Sequence, residues 1–166
     1  MNHPTYQVLV LCTGNSARSV MTEVALRELS HGQFQSFSAG SKPTGRVNPF
    51  AIQQLAHQGF NTEGLCSKSW DEFAAPDAPV MDFILTVCDN AAGEVCPLWL
   101  GHPYTIHWGF SDPAAVEGSD DDKQRAFDEI YQQIYRRIQR LMALPLATLT
   151  KAELAQAMRD IGEQAP

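Results

Sequence analysis

No apolar run in this 166-residue chain approaches the ~20 residues that a membrane-spanning helix needs. Basic residues are in the minority, with 12 Lys and Arg against 19 Asp and Glu and a net charge of −7. Such a surface repels nucleic acid and anionic lipid, so any anion site has to be local. The start, Met1-Asn2-His3-Pro4-Thr5, lacks a basic stretch followed by an apolar one; no export is expected, and a cytoplasmic location is the default expectation. Cysteine is sparse, at four residues, Cys12, Cys66, Cys88 and Cys96. Without an export signal these read as thiols with individual roles, not as a disulfide framework. Repeats and low-complexity segments are absent, and so is the Gly-Lys-Ser/Thr ending of a nucleotide-triphosphate loop.

What the chain does have is enough apolar residue, 44%, to bury one core without metal or disulfide support. Residues 7–11 form an apolar, β-prone run, after which Val20, Met21, Val24, Ala25 and Leu29 fall on one helical stripe. Phe34 to Ser38 alternates as a second strand, followed by a loop over 39–45. Asn48-Pro49 starts a helix, with Asn as N-cap and Pro at its first position. Phe83 to Val87 is a continuous apolar run ending at Cys88, the pattern of a strand buried on both faces of a parallel sheet. Tyr104 to His107 is a fourth strand, before the loop 109–113.

Ser119-Asp120-Asp121-Asp122 precedes a long helix carrying Phe127, Ile130, Ile134, Ile138 and Leu141; acids there cap the helix and complement its dipole. Arg136, Arg137 and Arg140 fall in its last turns. Pro145 interrupts the pattern, and Thr150-Lys151-Ala152-Glu153 opens a terminal helix with a capping box. The expectation is therefore an α/β fold, a central four-stranded parallel sheet flanked by helices, with residues 1–144 as the main domain and 145–166 as a helical extension. Ligands in such sheets sit at the carboxyl ends of the strands. Cys12, Cys88 and the Asp112 loop each follow a strand there.

The chemistry centres on Cys12-Thr13-Gly14-Asn15-Ser16-Ala17-Arg18-Ser19. Backbone N–H groups of a tight loop at a helix N-terminus bind the oxygens of an oxyanion, and Arg18 adds a planar, two-pronged donor. The same field favours Cys12 as thiolate, the form that attacks, with Ser19 placed to donate to the sulfur. Cys12 alone reads as a small buried residue and Arg18 alone as a solvated charge; together, between strand and helix, they read as an anion cradle with a nucleophile at its base. Of the five histidines, His102 and His107 lack a Cys or carboxylate partner at ligand spacing, so no metal site is expected from them. Cys66 has no assigned partner and is treated as structural.

Cys12, five residues, Arg18-Ser19 near the N-terminus, with Asp112-Pro113 in a late loop, resembles the low-molecular-weight protein tyrosine phosphatase fold. Leu11 to Ser19 together with Cys88, Cys96 and His107-Trp108-Gly109-Phe110-Ser111-Asp112-Pro113-Ala114 resembles the arsenate reductases built on that fold, over roughly residues 6 to 142. The resemblance implies Cys12 as nucleophile, residues 13–19 as the oxyanion site, Asp112 as general acid and Asn15 as a loop brace. In a reductase of this kind Cys88 would attack Cys12 and Cys96 would resolve Cys88 as a disulfide, with thioredoxin or glutathione and glutaredoxin as external donor and no bound cofactor. A phosphatase needs only Cys12, Arg18, Ser19 and Asp112, so phosphomonoester hydrolysis is the alternative; an anion-sensing module is a third reading. Ala17 stands where many thioredoxin-linked members carry a second loop cysteine, and Ala114-Ala115 where phosphatases carry paired tyrosines, which argues against phosphotyrosine peptide as substrate. Asn15, Glu23 and Ser38 resemble positions that hold potassium in some members, with no further ligand alignable.

Overall fold

A computed structural model of the chain describes residues 5–88, 99 and 101–165. Four parallel strands, β1 (Tyr6–Cys12), β2 (Phe34–Gly40), β3 (Phe83–Thr86) and β4 (Tyr104–His107), form one sheet in the order β2-β1-β3-β4. Four α-helices among the described residues accompany it: α1 (Arg18–Leu29), α2 (Pro49–His57), α3 (Asp120–Met142) and α4 (Lys151–Glu163). Short 3₁₀ turns lie at Trp70–Phe73 and Pro113–Ala115. No described helix is long and apolar enough to cross a membrane.

Alternation along β1 assigns its two faces, because successive side chains of a strand point to opposite sides. Tyr6, Val8, Val10 and Cys12 join the main core, built with Val20 to Leu26 of α1, Phe127 to Leu141 of α3 and Leu154 to Ile161 of α4. Leu9 and Leu11 face a smaller cluster with Ala39, Phe73, Met81 and Ile84, edged by Trp70 and Trp99. β1 is thus covered on both sides, as its near-continuous apolar run requires.

The helix ends follow local chemistry. Asn48 accepts the N–H of Phe50 and Pro49 occupies the first helical turn. Ser119 and Asp122 form a reciprocal capping box at α3, and Thr150 and Glu153 form one at α4. The acidic run at 120–122 caps its helix.

α4 is packed into the body of the protein. The buried Trp108 indole donates to the carbonyl of Met158 at 2.9 Å, and Lys151 pairs with Asp82 at 2.5 Å. Gly162 meets β4 so closely that an added Cβ would lie 2.3 Å from the His107 carbonyl oxygen. Truncating a wholly buried residue such as Trp108 to Ala costs about 3–5 kcal/mol.

One boundary differs from expectation in a way that matters for the site. β2 continues through Ala39 and Gly40, which the pattern placed in a loop, because Gly40 pairs with Cys12 across the sheet. The carboxyl rim accordingly carries Cys12, Gly40, Cys88 just past β3 and His107 side by side.

Candidate active site

The loop between β1 and α1 is shaped from outside. The Thr13 carbonyl accepts the N–H of Lys42 at 3.0 Å, that of Gly14 accepts Thr44 N–H and the Ser67 hydroxyl at 3.0 Å each, and that of Ser16 accepts Asn48 N–H at 2.8 Å. With its carbonyls held on the outer side, the loop turns its N–H groups toward the centre, where they add to the positive end of α1. Asn15 locks this form. Its backbone sits at φ 47°, a left-handed conformation that asparagine tolerates better than most residues. Its buried side chain accepts the Lys68 N–H at 2.9 Å and donates to Ser19 Oγ and Ser38 Oγ at 2.9 Å each.

Gly40 supplies the floor. A Cβ there would come within 2.4 Å of the Thr13 carbonyl oxygen and 3.0 Å of that of Cys12. Only glycine lets β2 approach the loop this closely. Gly40, Ser67 and Lys68 were missed as site residues from the sequence, and Ser38 was considered only as a cation ligand and not as a partner of Asn15; a serine two positions before a glycine at a strand end is the only local signal they leave.

The result is a pocket of about 280 Å³ lined by Cys12 to Arg18, Thr44, Asp112 and Ala114. Arg18 enters it from the first turn of α1, its Nη1 donating to the Phe110 carbonyl at 3.0 Å and its Nη2 lying 3.8 Å from Asp112 Oδ2. Asp112 caps the 3₁₀ turn behind it by accepting the Ala114 N–H at 3.0 Å, which leaves Oδ2 toward the pocket. Donors, a carboxyl group and a thiol therefore surround one small polar space, and the wall carries no aromatic side chain among the described residues.

Cys12 and Cys88 are both buried thiols without a disulfide. The Cys88 thiol hydrogen-bonds Cys12 and lies 3.8 Å from Thr13 Oγ1. That hydrogen bond, then burial, holds the Cys12 thiol well above its ordinary range, and the Arg18 guanidinium and the Thr13 N–H, which pull it down, do not prevail; this corrects the expectation that the loop field by itself keeps Cys12 as thiolate. Two adjacent buried thiols cannot both ionise readily, so the pair shares its titration. Cys96 lies outside the described residues. Cys66 is exposed, which corrects its reading as a structural thiol: no core packing surrounds it. Ser19, expected to donate to the Cys12 sulfur, is found accepting from Asn15.

Glu23 and Ser38 lie next to Asn15, but their groups are already engaged. Ser38 donates to the Glu23 carboxylate, and Arg27 pairs with that carboxylate at 3.5 Å. A single carboxylate with a guanidinium beside it is a poor cation cage, so these residues do not fit a potassium ion. No cluster of three or more His, Cys, Asp or Glu among the described residues suits a metal. His107, exposed at the end of β4, shares a hydrogen bond of 2.8 Å between its Nδ1 and Thr86 Oγ1.

Known proteins are similar to this chain in sequence and fold. The arsenate reductase of Halalkalibacterium halodurans is 34% identical over 131 residues, which span 79% of this chain and 91% of that protein. A thioredoxin-dependent arsenate reductase of Corynebacterium glutamicum has the same fold, with 22% identity and a TM-score of 0.56 over 84% of this chain and 64% of that one. A protein tyrosine phosphatase structure overlays with a TM-score of 0.67 at 20% identity, over 86% of this chain and 97% of that one. The profile of the low molecular weight phosphotyrosine protein phosphatase family matches residues 7–156, extending past residue 142, where the motifs alone had ended, into α4. With so much of its length matched, the chain belongs to the low molecular weight phosphotyrosine protein phosphatase family.

Proposed function

We propose that this protein reduces arsenate to arsenite, with Cys12 as nucleophile, the loop 13–19 as oxyanion site and Asp112 as general acid. The observation that carries the reading is a second buried thiol, Cys88, beside Cys12 at the same rim of the sheet. Hydrolysis has no use for a second buried thiol at the nucleophile, whereas reduction of As(V) needs two electrons, which two thiols supply by forming a disulfide. The 34% identity to an arsenate reductase supports the same choice, as does a pocket wall of Thr44 and Ala114, suited to a small inorganic anion better than to an aryl ester.

Arsenate binds with its oxygens on the loop N–H groups and the Arg18 guanidinium. The Cys12 thiol passes its proton to a bound arsenate oxygen as the sulfur attacks arsenic, an As–O bond breaks, and Asp112 gives a second proton so that the oxygen leaves as water. The Cys88 sulfur then attacks Cys12 Sγ. The S–As bond breaks with its electron pair going to arsenic, arsenite leaves, and a Cys12–Cys88 disulfide remains. Cys96 attacks Cys88 in turn, returning Cys12 as thiolate, and the Cys88–Cys96 disulfide is reduced by an external dithiol donor such as thioredoxin; glutathione with glutaredoxin is the alternative donor. Such a cycle belongs in a compartment that keeps thiols reduced, hence the cytoplasm. Phosphomonoester hydrolysis is the second reading, favoured by the fact that the loop, Arg18 and Asp112 would serve a phosphoryl group equally well.

The test is a single turnover of fully reduced protein with arsenate and no added thiol. One arsenite per chain, with a Cys88–Cys96 disulfide on peptide mapping, is expected. Cys88→Ser should abolish arsenite formation while leaving slow aryl phosphate hydrolysis; arsenite release indifferent to that substitution would overturn the reductase reading.

A further inference from the structure

We propose that Arg137 is a positioning residue for Arg18 and Asp112, anchored on its far side by the end of α4; this rests on the pocket being an oxyanion site. Arg137 lies in α3, where sequence alone gives it the place of a solvated cation near a helix C-terminus. It is instead 3% exposed. Its Nη1 donates to the Gly109 carbonyl at 2.9 Å, and its Nη2 donates to the carbonyls of Gly162 at 3.2 Å and Gln164 at 3.3 Å. The guanidinium carbon stands 4.7 Å over the centre of the Phe110 ring. No carboxylate pairs with it among the described residues.

A buried guanidinium without a counter-ion is unfavourable unless dipoles replace the water it lost. Here the replacement comes from the negative end of α4 and its last carbonyls, from one loop carbonyl and from an aromatic face. Burial, with Arg140 nearby, still pulls its pKa down, and its Nε finds no partner. A neutral apolar residue would fill this space at lower cost. The side chain's particular contribution is what it grips.

It grips the segment that places both charged groups of the pocket. Gly109 and Phe110 lead directly to Asp112. The Phe110 carbonyl receives Arg18 Nη1, and the Phe110 N–H donates to the Val87 carbonyl at 3.2 Å, one residue before Cys88. Arg137 thus fixes the backbone on which Arg18 leans, and it does so from Gly162 and Gln164, both beyond residues 7–156 that match the family. In this chain the end of α4 becomes part of the support of the site.

The test uses Arg137→Lys, which keeps the charge but cannot span three carbonyls or stack flat, and Phe110→Leu, which removes the stacked ring while keeping the carbonyl under Arg18. The readouts are inorganic phosphate affinity by calorimetry and the ratio of iodoacetate to iodoacetamide alkylation at Cys12, followed by peptide mass spectrometry well below each variant's Tm. That ratio reports whether Arg18 still draws an anion to the thiol, and a merely structural role would leave it unmoved. Arg137→Lys should weaken phosphate binding about 10-fold to 100-fold, in line with a small misplacement of a positioned group, and bring the ratio toward one; Phe110→Leu should shift both the same way by less. A lowered Tm with phosphate affinity and the ratio unchanged would overturn the proposal, and if Arg137→Lys does not fold, unchanged values in Phe110→Leu would do so. Failure of the wild-type protein to bind phosphate would instead overturn the oxyanion reading on which it rests.

Discussion

Arg18 and Asp112 face one another across the mouth of the pocket, Nη2 and Oδ2 3.8 Å apart, too far for a tight ion pair and close enough for one oxyanion to meet both. The separation keeps Arg18 available to an incoming anion, and it sets the carboxyl group beside the oxygen that must leave. A direct bond between the two would have neutralised the donor and the acid together. Each is held from behind instead, Arg18 by the Phe110 carbonyl and Asp112 by the Ala114 N–H.

Asp112→Asn separates binding from chemistry. Asparagine keeps the acceptor for the Ala114 N–H but offers no acidic proton, so turnover should fall by about 10²–10⁴-fold, the usual worth of a positioned general acid. Phosphate affinity should rise a few-fold, because a negative neighbour of the anion has gone. Calorimetry with phosphate beside steady-state rates checks both; loss of affinity would mean that Asp112 shapes the pocket and does not act as its acid.

Asn15→Asp tests the loop brace by halves. Aspartate can still accept the Lys68 N–H, but it cannot donate to Ser19 and Ser38, and it puts a buried negative charge near Glu23. Leaving buried hydroxyls without their donor costs about 1–3 kcal/mol each. The variant should show a clearly lower Tm and weaker phosphate binding. Full affinity with unchanged Tm would show that the outer carbonyl bonds alone hold the loop.

Gly40→Ala adds a single methyl group beneath the loop, with the Thr13 carbonyl only 2.4 Å away. Since that neighbour is backbone, the loop has to shift. Overpacking of this kind costs about 1–3 kcal/mol, and the displaced N–H groups should lose most of their anion affinity. Thermal unfolding with phosphate titration checks it; a variant that keeps wild-type affinity would show the loop to be more compliant than its hydrogen bonds imply.

These supports mark where the sequence stops being legible. Cys12, the five loop residues and Arg18 could be placed because strand, loop and helix are contiguous and each has its own periodicity. The strands and long helices were readable for the same local reason. The braces are remote: Ser67 and Lys68 each meet the loop across 53 residues, and Ser38 meets Asn15 across 23. Ser38 comes from the end of β2, where its spacing from Gly40 is the one local sign, and Ser67 and Lys68 come from a segment between Phe60 and Pro79 without clear periodicity, so nothing local gives them their role as braces. Arg137 fails differently. Its position on the helix is evident, but the carbonyls that make burial tolerable lie 25 to 28 residues away on either side, and an arginine near a helix end ordinarily faces water. Cys66, conversely, was read as structural only because it lacked a partner, and it is exposed.

The thiol pair yields a pH prediction with a definite sign. The Cys88 hydrogen bond is the largest influence raising Cys12, ahead of burial, while Arg18 and the Thr13 N–H act downward. Cys88→Ala removes the first influence and leaves the downward ones in place, so the Cys12 pKa should drop. Thiolate then persists to lower pH, and the alkylation rate of Cys12 with iodoacetamide should titrate with a midpoint shifted to lower pH than in the wild-type protein. At neutral pH the variant should react several-fold faster. Arg18→Lys should move the midpoint less than Arg18→Ala, since a lysine ammonium keeps a charge while losing the planar fork. Because the substitution also deletes the attacking sulfur of the proposed relay, the same variant should combine a more reactive Cys12 with no arsenite release. A midpoint that rises in Cys88→Ala would mean that Cys88 stabilises the thiolate by donating to it, and the order of protonation within the pair would be reversed.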